Sequence, residues 1–314
     1  MLALLAVFSL AAHPKLTWQK CTKGGCTTQN GFIVGDTTAG DIDYETQQGV
    51  TVSGDTVKQR LVTNYNGKKI VGSRLYLLAS DEQNYELFNF VNKEIAYDID
   101  ISQIPCGVNA AFYTVEMPKN GGTTGAAAGG GYCDGNYVDG EGCFEMDIQE
   151  ANNKAMVYTM HTCQNTGVQA SNGQCDGNGC GINTYRDNDK QFWGTTVNTA
   201  QKMTVVTQFL GSGTAVTQIK RLYVQNGKVI QSPGSITDSG CGNSGWHTLA
   251  HLGESFTKGH VLVFSLWDSN GMSWLDSGNN GPCGSYDINT IESQSPGLTV
   301  TWSNIKFGDI DSTY

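Results

Sequence analysis

Three carboxylates fall within six residues in the run Phe144-Glu145-Met146-Asp147-Ile148-Gln149-Glu150-Ala151-Asn152, inside a chain that is only 15% charged. Carboxylates this close cannot all stay ionised cheaply, so one of them holds a proton at working pH and can serve as a general acid beside an ionised neighbour. That division of labour suits glycoside hydrolysis. The retaining mechanism needs two carboxyls about 5–5.5 Å apart, one to attack the anomeric carbon and one to protonate the leaving oxygen. On a strand, the period of two puts Glu145 and Asp147 on one face and sends Glu150 to the other. A bend or bulge near Ile148 and Gln149 would turn Glu150 back and converge the three acids on one concave face. An acidic, solvated strand edge is the competing reading of the same residues.

Other patterns carry less chemistry. Asp134, Asn136 and Glu145 occupy positions one, three and twelve of a calcium-loop template, but Val138 and Asp139 stand where a ligand and the turn glycine belong. His247 and His251 have the spacing of a zinc helix, yet Thr248 replaces the glutamate of HExxH and no third ligand is evident, so an ordinary surface helix is expected. Residues 121–131 are glycine-rich without the Lys-Ser or Lys-Thr of a phosphate cradle and read as a flexible surface loop. No metal and no cofactor is expected.

Acids at such spacing need strands beneath them. The 40 glycines and low charge describe many turns and short elements, whereas a helical chain would carry more Lys, Glu, Ala and Leu. Ile95, Tyr97, Ile99 and Ile101 alternate with Glu94, Asp98 and Asp100, the pattern of a half-buried strand. Residues 202–210 and 261–267, and the set Leu298, Val300 and Trp302, read as further strands, while Asn66-Gly67 and Asn226-Gly227 read as type I′ hairpin turns. The expected fold is all-β, a two-sheet antiparallel β-sandwich. No linker rich in Pro, Ser or Thr and no repeat interrupts residues 13–314, which read as one domain.

The 29 acidic against 19 basic residues give a formal charge of −10, which repels phosphate backbones and anionic lipid and argues against nucleic-acid or membrane partners. Residues 2–12 form an apolar run too short to span a bilayer, with small residues at Ser9, Ala11 and Ala12, so residues 1–12 read as a secretion signal. Ten cysteines behind such a signal predict five disulfides. Zinc is disfavoured because Cys21 and Cys26, like Cys175 and Cys180, have four residues between them and lack CxxC spacing.

These residues resemble the cellulases of glycoside hydrolase family seven, nearly from end to end. The resemblance runs through His13-Pro14-Lys15-Leu16-Thr17-Trp18-Gln19-Lys20-Cys21, Arg74-Leu75-Tyr76-Leu77-Leu78, Pro105-Cys106-Gly107, Gly131-Tyr132-Cys133-Asp134, the Glu-Met-Asp-Ile-x-Glu centre, His161-Thr162-Cys163, Ser265-Leu266-Trp267-Asp268 and Ser303-Asn304-Ile305-Lys306-Phe307-Gly308. It implies a concanavalin-like jelly-roll sandwich with a long substrate cleft and a monomer acting on β-glucan, secreted and extracellular, without a separate carbohydrate-binding module. Glu145 would be the nucleophile, Asp147 the residue that orients and tunes it, and Glu150 the acid/base. The resemblance further implies that His161 contacts sugar beside the acid/base, that Tyr113 and Asn109 are groove residues near the nucleophile, and that Trp267 and Trp274 are sugar-stacking platforms on either side of the scissile bond. The implied disulfides are Cys21–Cys26, Cys106–Cys283, Cys133–Cys143, Cys163–Cys175 and Cys180–Cys241.

The chain departs from that family in the short segment between Cys26 and Gly49, in Gln149 and Phe144 at the catalytic strand, and in short connections after Asp134, Cys163 and Asp276. Short connections leave the cleft unroofed and imply a retaining endo-β-1,4-glucanase that attacks internal bonds. The alternatives are a cellobiohydrolase of the same family, a β-1,3(1,4)-glucanase on a similar sandwich and a non-catalytic carbohydrate-binding sandwich.

Overall fold

Period-two alternation and asparagine–glycine turns divide the chain into strands, and the resulting architecture is mostly β. The structure is a computed structural model that describes residues 13–36, 42–170, 174–187, 189–294 and 297–314. The expected signal at residues 1–12 lies outside the described residues. The first strands are β1 (Lys15–Thr22), β2 (Gly25–Gly35), β3 (Val50–Ser53), β4 (Thr56–Arg60), β5 (Val62–Tyr65), β6 (Lys68–Val71), β7 (Ser73–Leu78), β8 (Lys93–Asp100) and β9 (Val108–Val115). They are followed by β10 (Glu145–Ala151), β11 (Met156–His161), β12 (Cys180–Asn183), β13 (Met203–Ser212), β14 (Ala215–Gln225), β15 (Lys228–Ile236), β16 (Val261–Asp268) and β17 (Thr299–Asp309).

Hydrogen bonding links most of these in the order β12-β11-β10-β9-β16-β7-β2-β1-β17-β8-β13-β14-β15, with β3 and β4 attached to β17 and β5–β6 forming a separate hairpin. The two layers are therefore one curved ribbon of strands that folds back on itself. Its halves meet through interdigitated aromatic rings: Phe112 of β9 lies 4.2 Å from Tyr97 of β8 and 5.8 Å from Trp302 of β17. The pairing is antiparallel except where β1 runs parallel to β17, from Gln19 opposite Lys306 to Cys21 opposite Gly308. Asn66 and Gly67, like Asn226 and Gly227, have positive φ, as the expected I′ turns require.

Strand β8 is more deeply covered than a half-buried strand. Ile95, Tyr97 and Ile99 face the core as expected, but Glu94 and Asp98 are also buried. The chain after β17 covers Glu94, whose carboxylate accepts hydrogen bonds from the backbone N–H groups of Asp311, Ser312 and Thr313. Asp98 meets Lys202 and Thr204. The glycine-rich residues 121–131 are likewise a tightly folded plug and not a flexible loop. Backbone bonds cross it, the Tyr85 hydroxyl donates to the Gly130 carbonyl at 2.8 Å, and a Cβ at Gly121 would stand 2.1 Å from the Ala126 nitrogen. All five implied disulfides are present, the longest joining Cys106 to Cys283 across 177 residues.

Candidate active site

On β9, β10, β11 and β16, alternate residues turn away from the core. Asn109, Ala111 and Tyr113 of β9 share that outer face with Ser265 and Trp267 of β16 and His161 of β11. They surround a cleft of about 440 Å³ lined in part by Arg74, Tyr113, Tyr132, Asn136, Glu145, Asp147, Glu150 and Trp267. Strand β10 reaches it through a bulge. Opposite β9, Asp147 pairs with Tyr113 and Gln149 with Phe112, so Ile148 is one residue in excess. Opposite β11, Asp147 pairs with Thr159 and Glu150 with Val157. Ile148 and Gln149 both point into the core, where the Tyr97 hydroxyl donates to Gln149 Oε1 at 3.2 Å, and Glu150 returns to the cleft.

Each acid has a distinct partner. Gly135 N–H donates to Glu145 Oε2 at 2.9 Å, and a Cβ at Gly135 would press within 2.6 Å of His161 Cβ, so glycine permits this approach. The loop that presents Gly135 is held by Asp134, whose carboxylate caps the N–H groups of Asn136 and Val138; these residues build a turn and not a calcium loop. His161 Nε2 lies 3.0 Å from Asp147 Oδ2, and His161 Nδ1 lies 2.7 Å from the Asp176 carbonyl. Asn109 donates from Nδ2 to Glu150 Oε1 at 2.9 Å. Glu145, Asp147 and His161 offer ligand atoms within 4.8 Å of one another, but both imidazole nitrogens are already hydrogen-bonded.

Burial and Asp147's negative charge push Glu145 well above the usual carboxylate range, while His161 and the Gly135 N–H favour its anion. Glu150 is pushed up to about 8, again by burial and then by Asp147, with Asn109 and His161 pulling the other way. Burial opposes the charge of His161, yet the hydrogen bond and charge of Asp147, then the charge of Glu145, raise it to about 10. The imidazole is therefore cationic at neutral pH. Glu145 differs from Glu150 in having a backbone N–H donor and a cation paired directly across the sheet, both of which favour its anion against burial and Asp147.

The other expected site residues lie around these acids. His161 sits opposite Glu145, with Nε2 against Asp147 and Nδ1 against the Asp176 carbonyl. Asn109 is fully buried, donates to Glu150 and accepts from the Ala151 N–H. Trp267 lines the cleft together with the three acids, and Trp274 lies beside it. Their rings stack 6.4 Å apart in one patch, because the short helix Ser273–Asp276 folds back after β16 and buried Asp276 anchors it to the Gly107 N–H and Asn152. Tyr113 lines the cleft, its hydroxyl 2.9 Å from that of Tyr132. His247 precedes the helix Leu249–Phe256 instead of lying on it and meets Asp176 at 3.3 Å, whereas His251 meets Glu254. Phe144 is buried edge-on against His251.

Sequence reasoning assigned no role to Arg74, whose guanidinium stacks 3.4 Å over Tyr132 and binds Asp36 and Asp139, tying the cleft wall to the 134–143 connection. Its signal was the Arg74-to-Leu78 motif, noted only for resemblance. Gly135 gave no signal, since its contribution is a backbone N–H.

A jelly-roll sandwich with paired glutamates on a cleft floor is the arrangement of a glycoside hydrolase. The model of glycosyl hydrolase family 7 matches residues 37–139, 135–245 and 236–314. A probable endo-β-1,4-glucanase celB of Aspergillus clavatus is 37% identical over 385 residues, covering 96% of this chain and 92% of its own. Endoglucanase I solved with cellobiose superposes with a TM-score of 0.88 at 30% identity, over 98% of this chain and 99% of that one. A cellobiohydrolase from Daphnia pulex has the same TM-score at 27% identity, over 98% and 99% of the two chains. The chain belongs to glycosyl hydrolase family 7.

Proposed function

We propose that this chain is a secreted, monomeric endo-β-1,4-glucanase that hydrolyses internal bonds of cellulose or related β-glucans with retention of configuration, residues 13–314 forming one catalytic domain behind a signal at residues 1–12. The observation that carries the reading is the bulge at Ile148, which returns Glu150 to the face that holds Glu145 and Asp147. Glu145 attacks the anomeric carbon as the anion favoured by Gly135 and cationic His161, and Asp147 holds that imidazolium in place. Glu150, protonated below about pH 8, gives its proton to the departing oxygen and then takes one from water. Relatives include an endoglucanase that binds cellobiose and a cellobiohydrolase of equal backbone similarity, so the mode of attack rests on the cleft itself. Trp267 and Trp274 remain 37% and 42% exposed, and the connection after Asp134 is stapled short by Cys133–Cys143, which supports sideways access to a glucan. The test is carboxymethylcellulose hydrolysis followed by both viscosity and reducing ends, with NMR of the first product. A steep viscosity fall and an initial β-anomer are expected. Slow viscosity loss with cellobiose accumulating alone would instead favour the cellobiohydrolase.

A further inference from the structure

Arg221 lies on β14, in the opposite layer, and is 1% exposed. Among the described residues no carboxylate approaches its guanidinium within ion-pair distance. Its nitrogens are used instead by Thr207 Oγ1 at 3.0 Å, the Tyr223 hydroxyl at 3.4 Å and the carbonyl of Ile148, while its plane lies 4.6 Å from the Tyr158 ring centre. A guanidinium buried without an anion is costly, so a close partner is needed to hold it there. Ile148 is the residue that the bulge leaves without a partner on either flanking strand. A bulge exposes its carbonyl to the core, and a buried carbonyl without a donor is destabilising. From the opposing layer, Arg221 donates to the Ile148 carbonyl.

We propose that Arg221 is a positioning residue for Glu150: by holding the Ile148 carbonyl it maintains the bulge that turns Glu150 into the cleft. Without that donor the strand favours regular pairing, in which the period of two carries Glu150 toward the core face and Gln149 toward the cleft. The Tyr97 bond to Gln149 acts in the same sense from the neighbouring strand. The inference rests on Glu150 being the acid/base.

The experiment measures the glycosylation burst of Arg221→Met, Arg221→Lys and Thr207→Val on aryl cellobiosides with a good leaving group, dinitrophenol, and a poor one, phenol. Only the poor one needs the proton from Glu150. We expect Arg221→Met to lose on the order of 10²-fold on the phenyl substrate, the scale of a displaced general acid, with little change on the dinitrophenyl substrate or in KM. Arg221→Lys, which keeps a donor, should recover part of the phenyl rate. If Arg221→Met does not fold, Thr207→Val loosens the guanidinium without removing it and should show the same selectivity at about tenfold, a fraction of the loss expected from a 1 Å error. Equal losses on both substrates, or none on either, overturn the proposal. Glu150→Gln in the same assay separates the two readings. If it lacks leaving-group dependence, the acid/base assignment itself fails; if it has that dependence and the Arg221 and Thr207 variants do not, only the positioning role fails.

Discussion

The two faces of β10 contrast in how they are held. Toward the core, Met146, Ile148 and Ala151 join a cluster in which Phe112, Tyr97, Trp302 and Phe264 touch one another in several combinations, so no single contact defines the packing. Toward the cleft, Glu145, Asp147 and Glu150 each depend on one or two polar partners, namely Gly135, His161 and Asn109. Stability is spread over many apolar contacts, whereas chemistry is concentrated in single hydrogen bonds between buried titratable groups. Substitutions should therefore separate: cleft changes alter turnover and leave the fold intact, while core changes do the reverse.

The largest expected effect is that of Glu145→Gln, which removes the covalent route but no core contact and should lower turnover on the order of 10⁴-fold or more. Its thermal unfolding midpoint should stay at or above that of the parent, because one of several crowded carboxyls has been neutralised. A folded variant with parent-like turnover would contradict the assignment. On the other face, Trp302→Ala should cost about 3–5 kcal/mol in urea unfolding, as large-to-small changes in packed cores do, and leave kcat per folded molecule nearly unchanged. A kcat loss that persists after correction for the folded fraction would erase the contrast between the faces.

A subtler test uses pH. Glu150 must be protonated to act as acid, so the alkaline limb of the glycosylation rate should fall near pH 8. Asn109 favours the ionised form, so Asn109→Ala should raise the Glu150 pKa further and move that limb to higher pH. A limb that moves down would mean the hydrogen bond has the opposite effect. Smallest is the stacking patch: Trp267→Ala should weaken cello-oligosaccharide binding by about 1 kcal/mol, measured by calorimetry on a catalytically dead background. Unchanged affinity would remove Trp267 from the substrate path.

Much of this was legible in the sequence because the relevant signals are local. Three acids at fixed spacing pointed to a bend or bulge near Ile148 and Gln149, since a regular strand of period two would send Glu150 to the other face. The two asparagine–glycine turns likewise need only their own backbone dihedrals. What could not be read lies in contacts between distant segments. Arg221 stands 73 residues from Ile148 along the chain; its place between Ile219 and Tyr223 at period two puts it on their face of the strand but does not reveal which distant carbonyl it meets. The covering of Glu94 by the residues after β17 spans more than 200 positions. The stacking of Trp274 on Trp267 is equally hidden, because seven residues of sequence do not reveal that Asp276, bonded to Gly107 and Asn152, folds the second ring back over the first.

On the proposed mechanism the bulged strand presents Glu145 as nucleophile with Glu150 beside it as acid/base. A 2-deoxy-2-fluoro cellobioside with a good leaving group tests it most directly, since the fluorine slows breakdown of any glycosyl-enzyme and lets the modified residue be located by peptide mass spectrometry. The account predicts one glycosyl group per chain, carried by Glu145 and released when a cello-oligosaccharide acceptor is added. A label on another residue, or stoichiometric release of the leaving group with no label, would contradict it.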